Sequence, residues 1–551
     1  MIRSAATSST MVDILLIQPP IRDFYLTTKR TIPYGLASIA AGLLEGGFSV
    51  EIIDSLATPK SRVVDLPPEM SYLQPYYGKS DQSPFALFHH YKHFGYSYDS
   101  IGQRVKKAQP FLVGISSLFS AYAEEAVNTA QIVKHNHPAC SVVLGGHHPT
   151  ALPERVMESS AVDFVMRGEG EVSMTLLAEA LQNGLGFDEI PGLVYRKLDG
   201  GLHVSETATM RNPDDYPLPA TQLLNQRYYS RNKKAAAVIV TSRGCPMKCT
   251  YCAVGASSPF NYRRKSVKSV IVEIENSINL YDTGFIDFED ENLSLDRNWF
   301  LQLLNEISRR FNGHQQELRA MNGLLPSSLD EQVIGAMKAA GFKTLNLSLG
   351  TTSNAQLKRF QRPDVRKAFE RALNLAEIHD LQAVGYIIIG APFQEAADSL
   401  NDILYLAKRR VLVGTSVFYP APGSMDYALC ASMGLLPKNF SGMRSSVLPI
   451  SHTTTRKESI TLLRLSRIVN FMKHLIDRGQ PIPDPSPATG RIENPKQRET
   501  AGKQLLKFFL YDGIIRGVNP NGEVFEHDTC PQLSNQFLAG LNSNRIRGCE
   551  S

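Results

Sequence analysis

The sequence predicts an α/β protein with an N-terminal Rossmann-like open parallel sheet, a partial (β/α)6 TIM-like barrel and a mainly helical C-terminal region. Three observations predict it. Strand-like apolar runs alternate with segments of helical periodicity, the alternation stops at the proline-rich stretch "RNPDDYPLPA", and six further strand and helix units follow. At 551 residues the chain exceeds what one hydrophobic core fills, so several domains are expected.

The predicted first domain spans residues 12–215, after a tail at 1–11 that we expect to be disordered. It opens with the strand "DILLIQPP", the helix "GLASIAAGLLEGG" and the strand "SVEIIDS". An insertion at about residues 56–108, rich in Tyr, Phe, His and Pro, precedes the strands "FLVGISS", "SVVLGG" and "VDFVMRG" and the hairpin "GLVYRKLDGGLHV". Ligands bind at the carboxyl ends of the strands in such sheets, and the absence of a G-x-G-x-x-G opening directly into a helix disfavours a dinucleotide.

The predicted barrel spans residues 216–430, and a C-terminal accessory region follows at 431–551. Its six strands are "AAVIVTSRG", "FIDFEDE", "LRAMNG", "TLNLSLG", "AVGYIIIG" and "TSVFYPAPG". In the first helix of this part, one face at 3.6-residue periodicity carries Val267, Val270, Ile271, Ile274 and Ile278, as a helix packed on a barrel requires. Active sites of such barrels lie at the carboxyl ends of the strands.

The composition excludes several classes of protein. Hydrophobic residues make up 43% and charged residues 20%, and no apolar run reaches the eighteen or so residues of a membrane span. The first ten residues lack the pattern of an export or transit signal, and seven cysteines without regular spacing outside one cluster fit a reducing compartment, so we expect a cytoplasmic protein. The small net charge of +5 is dispersed, which argues against a nucleic acid partner.

The cysteine cluster is the strongest chemical signal. Cys245, Cys249 and Cys252 lie within "TSRGCPMKCTYCAVG", directly after the first predicted barrel strand. A structural zinc site needs four ligands and lacks a second pair nearby, while a thioredoxin-like pair of Cys249 and Cys252 leaves Cys245 unexplained. An iron-sulfur cluster on three thiolates leaves one iron open to another ligand, which implies chemistry.

The segment "CPMKCTYC" resembles the C-x-x-x-C-x-aromatic-C motif of the radical S-adenosylmethionine (SAM) superfamily. Together with "IQPP", "PYGLASIAAGLLEGGFSVEIIDS", "VGISSLFSAYAEEA", "VVLGGHHPTALPE" and "VMRGEGE", it makes residues 12–430 resemble the members that carry an N-terminal cobalamin (vitamin B12)-binding domain. The resemblance implies a 4Fe-4S cluster on the three cysteines, SAM bound to its open iron, one-electron cleavage of SAM to a 5′-deoxyadenosyl radical, and cobalamin on the first domain.

The resemblance also implies binding residues. Candidates for SAM lie beside the cluster and at the strand ends of the barrel: Tyr251, Glu289, Asp290, Asn292, Ser348, Gly350, Thr351 and Gly390, with Glu291, Tyr419 and Pro422 nearby. Candidates for cobalamin lie at the carboxyl edge of the first sheet: Pro33, Gly35, Leu36, Ser116, Ser117, Gly145, Gly146, His147, Arg167, Gly168 and Glu169. Two departures stand out, because the chain has no D-x-H-x-x-G motif, and Thr351 or Thr352 replaces a common acidic residue.

The implied reaction is methylation of an unactivated carbon, or of phosphorus. Cyclisation, rearrangement or oxidation without methyl transfer is the alternative, and a metal- or redox-sensing binding protein is the non-enzymatic one. The implied partners are a small-molecule, lipid or natural-product substrate and an external electron donor such as flavodoxin or ferredoxin. The sequence assigns no catalytic residue.

Overall fold

The computed structural model describes residues 12–27, 31–226, 228–254, 261–311, 316–542 and 546–549. The chain divides into two compact units. Unit 1 comprises Met1–Val64, Tyr91–Ile239 and Arg263–Thr283, and unit 2 comprises Asp65–His90, Val240–Tyr262 and Gly284–Ser551. The predicted tail at 1–11 lies outside the described residues, and the predicted domain boundaries near 215 and 430 stay predictions.

Unit 1 contains a seven-stranded sheet in the order β7-β6-β5-β4-β3-β1-β2. Its strands are β1 (Ile14–Gln18), β2 (Val50–Asp54), β3 (Leu112–Ser116), β4 (Ser141–Gly145), β5 (Phe164–Met166), β6 (Leu193–Arg196) and β7 (Leu202–Val204). The first five are parallel, and the hairpin β6–β7 extends them antiparallel. The chain passes from β1 to β2 on one side and returns to β3 on the other, which creates a crevice at the carboxyl ends of β1 and β3.

Helices cover both faces of this sheet: α1 (Tyr34–Glu45), α2 (Tyr98–Ala108), α3 (Ala123–Asn136) and α4 (Gly170–Asn183). Ile14 and Leu16 of β1 belong to one buried core, whereas Leu15 and Ile17 belong to the other. Strands buried on both faces read as continuous apolar runs, which is why "DILLIQPP" was recognisable. The helix α2 falls inside the predicted insertion and packs against α3.

The remaining elements of unit 1 are short strands, short helices and one long helix. Ile21–Asp23, Lys92–Phe94 and Ser61–Val63 form a small antiparallel sheet, His147–Ala151 and Pro153–Met157 are helical, and Ser230–Arg231 pairs with Lys234–Ile239. The long helix α5 (Val267–Tyr281) packs against Lys234–Ile239. Its N-cap is Ser266, whose hydroxyl accepts from the Ser269 backbone N–H, and the five predicted core positions of α5 are buried.

Unit 2 holds the other predicted barrel strands, β8 (Thr283–Phe288), β9 (Glu317–Arg319), β10 (Thr344–Gly350), β11 (Gln382–Ile389) and β12 (Leu412–Val417). β8 pairs with β9, and β10 with β11 and β11 with β12, all in parallel. The isolated bridges Leu318–Phe342 and Leu324–Leu347 continue the sheet from β9 to β10. Between the strands run α6 (Arg297–Arg310), α7 (Glu331–Ala340), α8 (Asn354–Arg359), α9 (Arg366–Ile378) and α10 (Ala396–Ala407). The predicted α/β architecture is confirmed.

The C-terminal part is mainly helical, as predicted, with α11 (Met425–Ser432), α12 (Arg456–Asp477), α13 (Arg498–Asp512) and α14 (Pro531–Asn542) and a hairpin of Arg516–Val518 and Val524–Glu526. Residues 65–90 of the predicted insertion belong to this unit. The buried Arg464 of α12 donates to the carbonyls of Phe85 (3.0 Å) and Tyr76 (3.3 Å), which fixes that segment. Within the described ranges, no helix is long and apolar enough to cross a membrane.

Candidate functional site

The three clustered cysteines lie on one loop of unit 2 at residues 245–252. Cys249 is buried, Cys245 and Cys252 are half-buried, and the Cys252 N–H donates to the Cys249 carbonyl at 3.2 Å. Burial raises the pKa of the Cys245 thiol, and the neighbouring Cys252 and Cys249 raise it further. Cys249 and Cys252 therefore lie close enough to Cys245 for their charge to affect its pKa.

This donor set fits a cluster that needs three thiolates. Soft thiolates on one short loop are the ligands that iron-sulfur clusters take. Across the described ranges, no three His, Cys, Asp or Glu side chains converge as the ligands of a single metal ion would. The donor chemistry of Cys245, Cys249 and Cys252 therefore suits such a cluster.

Thr250, between two of the cysteines, fixes this cluster loop. Its N–H donates to the Phe360 carbonyl (3.1 Å), its carbonyl accepts from the Asp426 N–H (2.9 Å), and its hydroxyl donates to the Asp426 carboxylate (3.1 Å). The Tyr251 ring packs edge-on against Phe360 with centroids 4.9 Å apart. The loop is held on two sides, so its thiols are positioned before any ligand binds.

Arg362 joins three of the predicted SAM-binding residues. Its Nη1 donates to Tyr251 Oη at 2.8 Å, and its Nη2 donates to the carbonyl (2.7 Å) and hydroxyl (2.8 Å) of Ser348. A Cβ on Gly350 would lie 3.0 Å from Arg362 Nε, and Gly350 has a φ of +81°, so glycine is required there. Sequence reasoning missed Arg362 because its partner Tyr251 is 111 positions away.

Asp290 and Asn292, two buried residues after β8, differ in their hydrogen bonding. Asp290, 2% exposed, accepts from the N–H and hydroxyl of Thr241 (3.1 and 2.8 Å) and from the hydroxyl of Ser242 (2.5 Å). Asn292 is 7% exposed, and its Oδ1 has no hydrogen-bond partner within the part of the chain that the structure describes. Asp290 therefore ties down the chain that leads into the cluster loop, whereas Asn292 retains an acceptor for a ligand.

Glu289 and Glu291 are half-buried beside these residues. Glu291 lies near enough to Cys245 to raise the pKa of its thiol, although less than burial does. Glu291 therefore lies close to the cluster loop.

The turn after β10 is fixed by a carboxylate from α10. The N–H and hydroxyl of Thr352 donate to Asp402 Oδ1 at 2.6 and 2.5 Å, and Thr351 is buried beside them. Burial raises the pKa of Asp402 to about 6. Asp402 therefore fixes the conformation of this turn through Thr352. After β11, Gly390 has a φ of +72°, which favours glycine there.

The barrel interior is accessible at β11. Val384, Tyr386 and Ile388 are half-buried, while the residues between them are buried. A Cβ on Gly385 would meet Leu406 and Phe369 of the outer helices, so the half-buried side faces the interior. There, Tyr386 Oη donates to Asn346 Oδ1 at 3.1 Å.

The carboxyl edge of the unit 1 sheet presents an apolar platform. Leu118 and Phe119, directly after β3, are 47% and 52% exposed. The adjacent Ser117 is buried, and its hydroxyl has no partner among the described residues. A Cβ on Gly146, whose φ is +122°, would lie 2.6 Å from the Ser117 carbonyl, so glycine is required there. An exposed apolar surface with one unsatisfied hydroxyl fits a large, flat, partly apolar group such as cobalamin.

Sequence reasoning missed Leu118 and Phe119. The signal was available, because two large apolar residues follow the strand end in "SSLFS", where a solvated turn would be polar. Ser116 and Gly145 are half-buried at the ends of β3 and β4. Both end beside the platform, as predicted for this edge.

The two predicted histidine positions differ. His147 is exposed, whereas His148 is 3% exposed and its Nδ1 lies 2.9 Å from Ser120 Oγ. Burial lowers the pKa of His148 to about 4, so it is neutral at physiological pH. Of the two, His147 is the one accessible at the edge.

The residues of the loop after β5 contact other parts of unit 1. Arg167 donates to the carbonyls of Ser205 (3.3 Å) and Thr150 (3.4 Å), and Glu169 forms an ion pair with Arg263 at 2.8 Å. A Cβ on Gly168 would lie 2.2 Å from the Ala208 carbonyl. Arg167 keeps its positive charge, because backbone carbonyls do not neutralise it, whereas the charge of Glu169 is paired with that of Arg263.

The start of α1 offers one open position. Gly35 is exposed, and nothing lies within 4 Å of where its Cβ would be. Pro33 is the N-cap, and Leu36 is buried in the core. The glycine permits a close approach of a ligand, and the other two residues support the helix.

Comparisons with known proteins agree with this geometry. Residues 88–178 match the B12 binding domain family, and residues 239–403 match the Radical SAM superfamily. The chain is 28% identical to an uncharacterized methyltransferase, PH0819, of Pyrococcus horikoshii over 386 residues, 68% of this chain and 82% of the relative. It is 27% identical to an anaerobic magnesium-protoporphyrin IX monomethyl ester cyclase of Rubrivivax gelatinosus over 57% of this chain and 56% of the relative.

The same architecture occurs in a solved structure. The radical S-adenosylmethionine methyltransferase TsrM from Kitasatospora setae, with cobalamin and a [4Fe-4S] cluster bound, aligns with a TM-score of 0.56 and 17% identity. The alignment covers 77% of this chain and 75% of that one. At this identity the likeness shows the shared fold.

Proposed function

We propose that this chain, a radical SAM enzyme with a B12-binding domain, transfers a methyl group to an unactivated carbon or to phosphorus. The observation that carries the proposal is that one chain builds both the three-thiol cluster loop and the apolar platform of Leu118 and Phe119. The methyltransferase relative supports methylation as the outcome.

Each bound group has its own residues. Cys245, Cys249 and Cys252 would hold the cluster. Asn292, Ser348, Gly350, Thr351 and Gly390 would border SAM, and Ser117, Gly146, Leu118, Phe119 and Gly35 would border cobalamin. When bound, the cluster and SAM supply the 5′-deoxyadenosyl radical, and cobalamin supplies the methyl group.

The protein's own residues position these groups and the substrate. Arg362 holds Tyr251 of the cluster loop against Ser348 of β10, so the loop and the strand end move together. Asp402 fixes the turn after β10 through Thr352. The pair of Tyr386 and Asn346 offers hydrogen bonds to a small-molecule substrate inside the barrel.

Anaerobic reconstitution with iron, sulfide and hydroxocobalamin tests the proposal. On adding SAM and dithionite with candidate substrates, a methylase forms both 5′-deoxyadenosine and S-adenosylhomocysteine. Cys249→Ala should abolish both products, whereas Cys530→Ser should not, because Cys530 lies outside the cluster loop. Absence of 5′-deoxyadenosine from a sample with an intact cluster would refute the proposal.

Cyclisation is the second candidate, because the chain is also similar to the cyclase of Rubrivivax gelatinosus. In this case 5′-deoxyadenosine forms without stoichiometric S-adenosylhomocysteine. The same assay therefore separates the two reactions.

A radical SAM enzyme needs a one-electron donor, and we propose a flavodoxin or ferredoxin for this role. A lipid or other natural product is the proposed class of small-molecule substrate. The cytoplasm is the proposed location, since three free thiols on one loop persist in a reducing compartment.

A further inference from the structure

A basic and partly apolar surface of unit 2 borders the cluster loop. Its centre is Arg359, the last residue of α8, whose carbonyl accepts from the Thr250 hydroxyl at 3.3 Å. Thr250 directly follows the cluster ligand Cys249. We call it the Arg359 surface, and its exposed side chains are Lys248, Lys358, Arg359, Phe393 and Met425.

Backbone contacts hold the apolar centre of this surface in place. Met425 precedes Asp426, which is bonded to Thr250, and its side chain is 44% exposed. Phe393 is 38% exposed, and the Arg359 guanidinium lies 4.6 Å from its ring centroid. Phe393 has a φ of +61°, a conformation that bulky residues rarely adopt without a local constraint. The next residue supplies it, because Gln394 Nε2 donates to the Ile388 carbonyl at 2.8 Å.

The charge of the surface is positive. Lys248, Lys358 and Arg359 form no ion pair with any residue that the structure describes. Glu395, also exposed, is the acidic residue closest in sequence to Phe393, and it leaves the balance positive. Arginine, methionine and aromatic residues are also the types enriched in protein interfaces.

We infer that the Arg359 surface docks an acidic one-electron carrier protein of the flavodoxin or ferredoxin class. The inference rests on the proposed function, which requires such a donor. Complexes of redox proteins are small and transient, and complementary charge speeds their encounter. In each encounter the carrier loses one electron, the cluster on the three cysteines gains it, and no atom is transferred.

Binding tests the surface directly. The double variant Lys358→Glu/Arg359→Glu reverses two charges and keeps the backbone carbonyl of Arg359. Lys343→Glu is a single charge-reversal control elsewhere on unit 2, because Lys343 is exposed just before β10, at the amino end of the strand. Calorimetry with oxidised flavodoxin and the reconstituted proteins at low salt should show at least about tenfold weaker binding for the double variant. The control should bind within about twofold of wild type. Equal affinities would overturn the inference.

Salt adds a second test of charge. Raising the ionic strength from about 0.01 to 1 M shortens the Debye length from about 30 to 3 Å. Wild-type affinity for flavodoxin should therefore fall steeply, and the affinity of the double variant should change little. A salt-independent wild-type affinity would overturn a docking surface based on charge.

The choice of reductant separates docking from chemistry. With reduced flavodoxin, the double variant should form 5′-deoxyadenosine about tenfold more slowly than wild type. With dithionite, which needs no docking surface, the two should agree within about twofold. Loss with both reductants would overturn the inference. If wild type forms no product with either reductant, the proposed function fails, and the binding comparison still decides whether flavodoxin docks here.

Discussion

Replacing Asp290 by Asn should lower the stability of unit 2, because we expect Asp290 to support the cluster loop and not to contact SAM. The Asp290 side chain is 2% exposed, and its carboxylate accepts hydrogen bonds from three donors of Thr241 and Ser242. An Asn keeps one acceptor oxygen but turns an N–H donor towards the Thr241 N–H, which lies 3.2 Å from Asp290 Oδ2. The substitution therefore removes the charge that strengthens three hydrogen bonds to Oδ1, and it sets an N–H donor against the Thr241 N–H, which keeps only its 3.1 Å contact with the remaining oxygen.

The magnitude follows from these contacts. A hydrogen bond to a charged group contributes about 1.5–3 kcal/mol, and a neutral one contributes about 0.5–1.5 kcal/mol. Neutralising the carboxylate weakens three such bonds by about 1 kcal/mol each, so we expect a loss of about 3 kcal/mol. The unfolding entropy is about 2.1 cal/mol/K per residue, so in a unit of roughly 300 residues each kcal/mol corresponds to about 1.5 °C of Tm. The Tm should therefore fall by about 4–5 °C. Iron retention should fall as well, because Thr241 and Ser242 lead into the cluster loop.

Asn292→Ala is the matched control for this prediction. Its Oδ1 makes no hydrogen bond with the described residues, so Tm should change by no more than about 2 °C while the affinity for SAM falls. Calorimetric scans and SAM titrations of both variants check the pair. An unchanged Tm with weakened SAM binding in Asp290→Asn would refute the structural role and restore Asp290 as a ligand.

Three further predictions concern other residues. Arg362→Ala should weaken SAM binding about tenfold by calorimetry, and Arg362→Lys should rescue little, because one ammonium cannot reproduce the fork between Tyr251 and Ser348. The control is Arg309→Ala, because Arg309 is paired with Glu306 on the outside of α6. Leu118→Asp should weaken hydroxocobalamin binding at least about tenfold by absorbance titration, whereas Leu198→Asp, at the exposed turn of the hairpin β6–β7, should leave it unchanged. Burial lowers the pKa of His527 in the folded chain to about 4, below an unfolded value of about 6.5. The contribution of neutral His527 to the free energy of unfolding is therefore complete above pH 6.5 and declines as the pH falls, by about 2 kcal/mol at pH 5. Thermal scans against pH should show the matching drop in Tm, and His527→Gln should flatten it.

Local patterns made most of the fold predictable. Strands buried on both faces and helices with one apolar face appear directly in the letters, as in "DILLIQPP" and around Val267. The cysteine loop was equally visible, because its three cysteines lie within eight positions. Contacts between distant parts of the chain were not visible. No spacing rule joins Arg362 to Tyr251, Asp402 to Thr352, or the Asp81 carboxylate to His527, 446 positions away.

The alternation of inward and outward side chains along a strand also did not distinguish residues that could contact a ligand from residues that fix the backbone. Asp290 and Asn292 were both predicted as strand-end ligands, and the structure shows that Asp290 is bonded to Thr241, whereas Asn292 Oδ1 has no hydrogen-bond partner among the described residues. The same holds for the charged residues Arg167 and Glu169 in the loop after β5, whose partners Ser205 and Arg263 come from elsewhere in unit 1.

Unsatisfied polar atoms give the two candidate sites a common physical basis. A buried group without a partner costs about 1–3 kcal/mol, so a fold optimised for stability alone would pair it. Such atoms occur at several places in this chain, including Ser534, so their presence by itself marks no site. Ser117 Oγ and Asn292 Oδ1 differ, because each was predicted independently as a ligand contact and each lies at a strand end. A ligand that satisfies either atom would recover that cost, and its binding should therefore raise the stability of the unit that holds it.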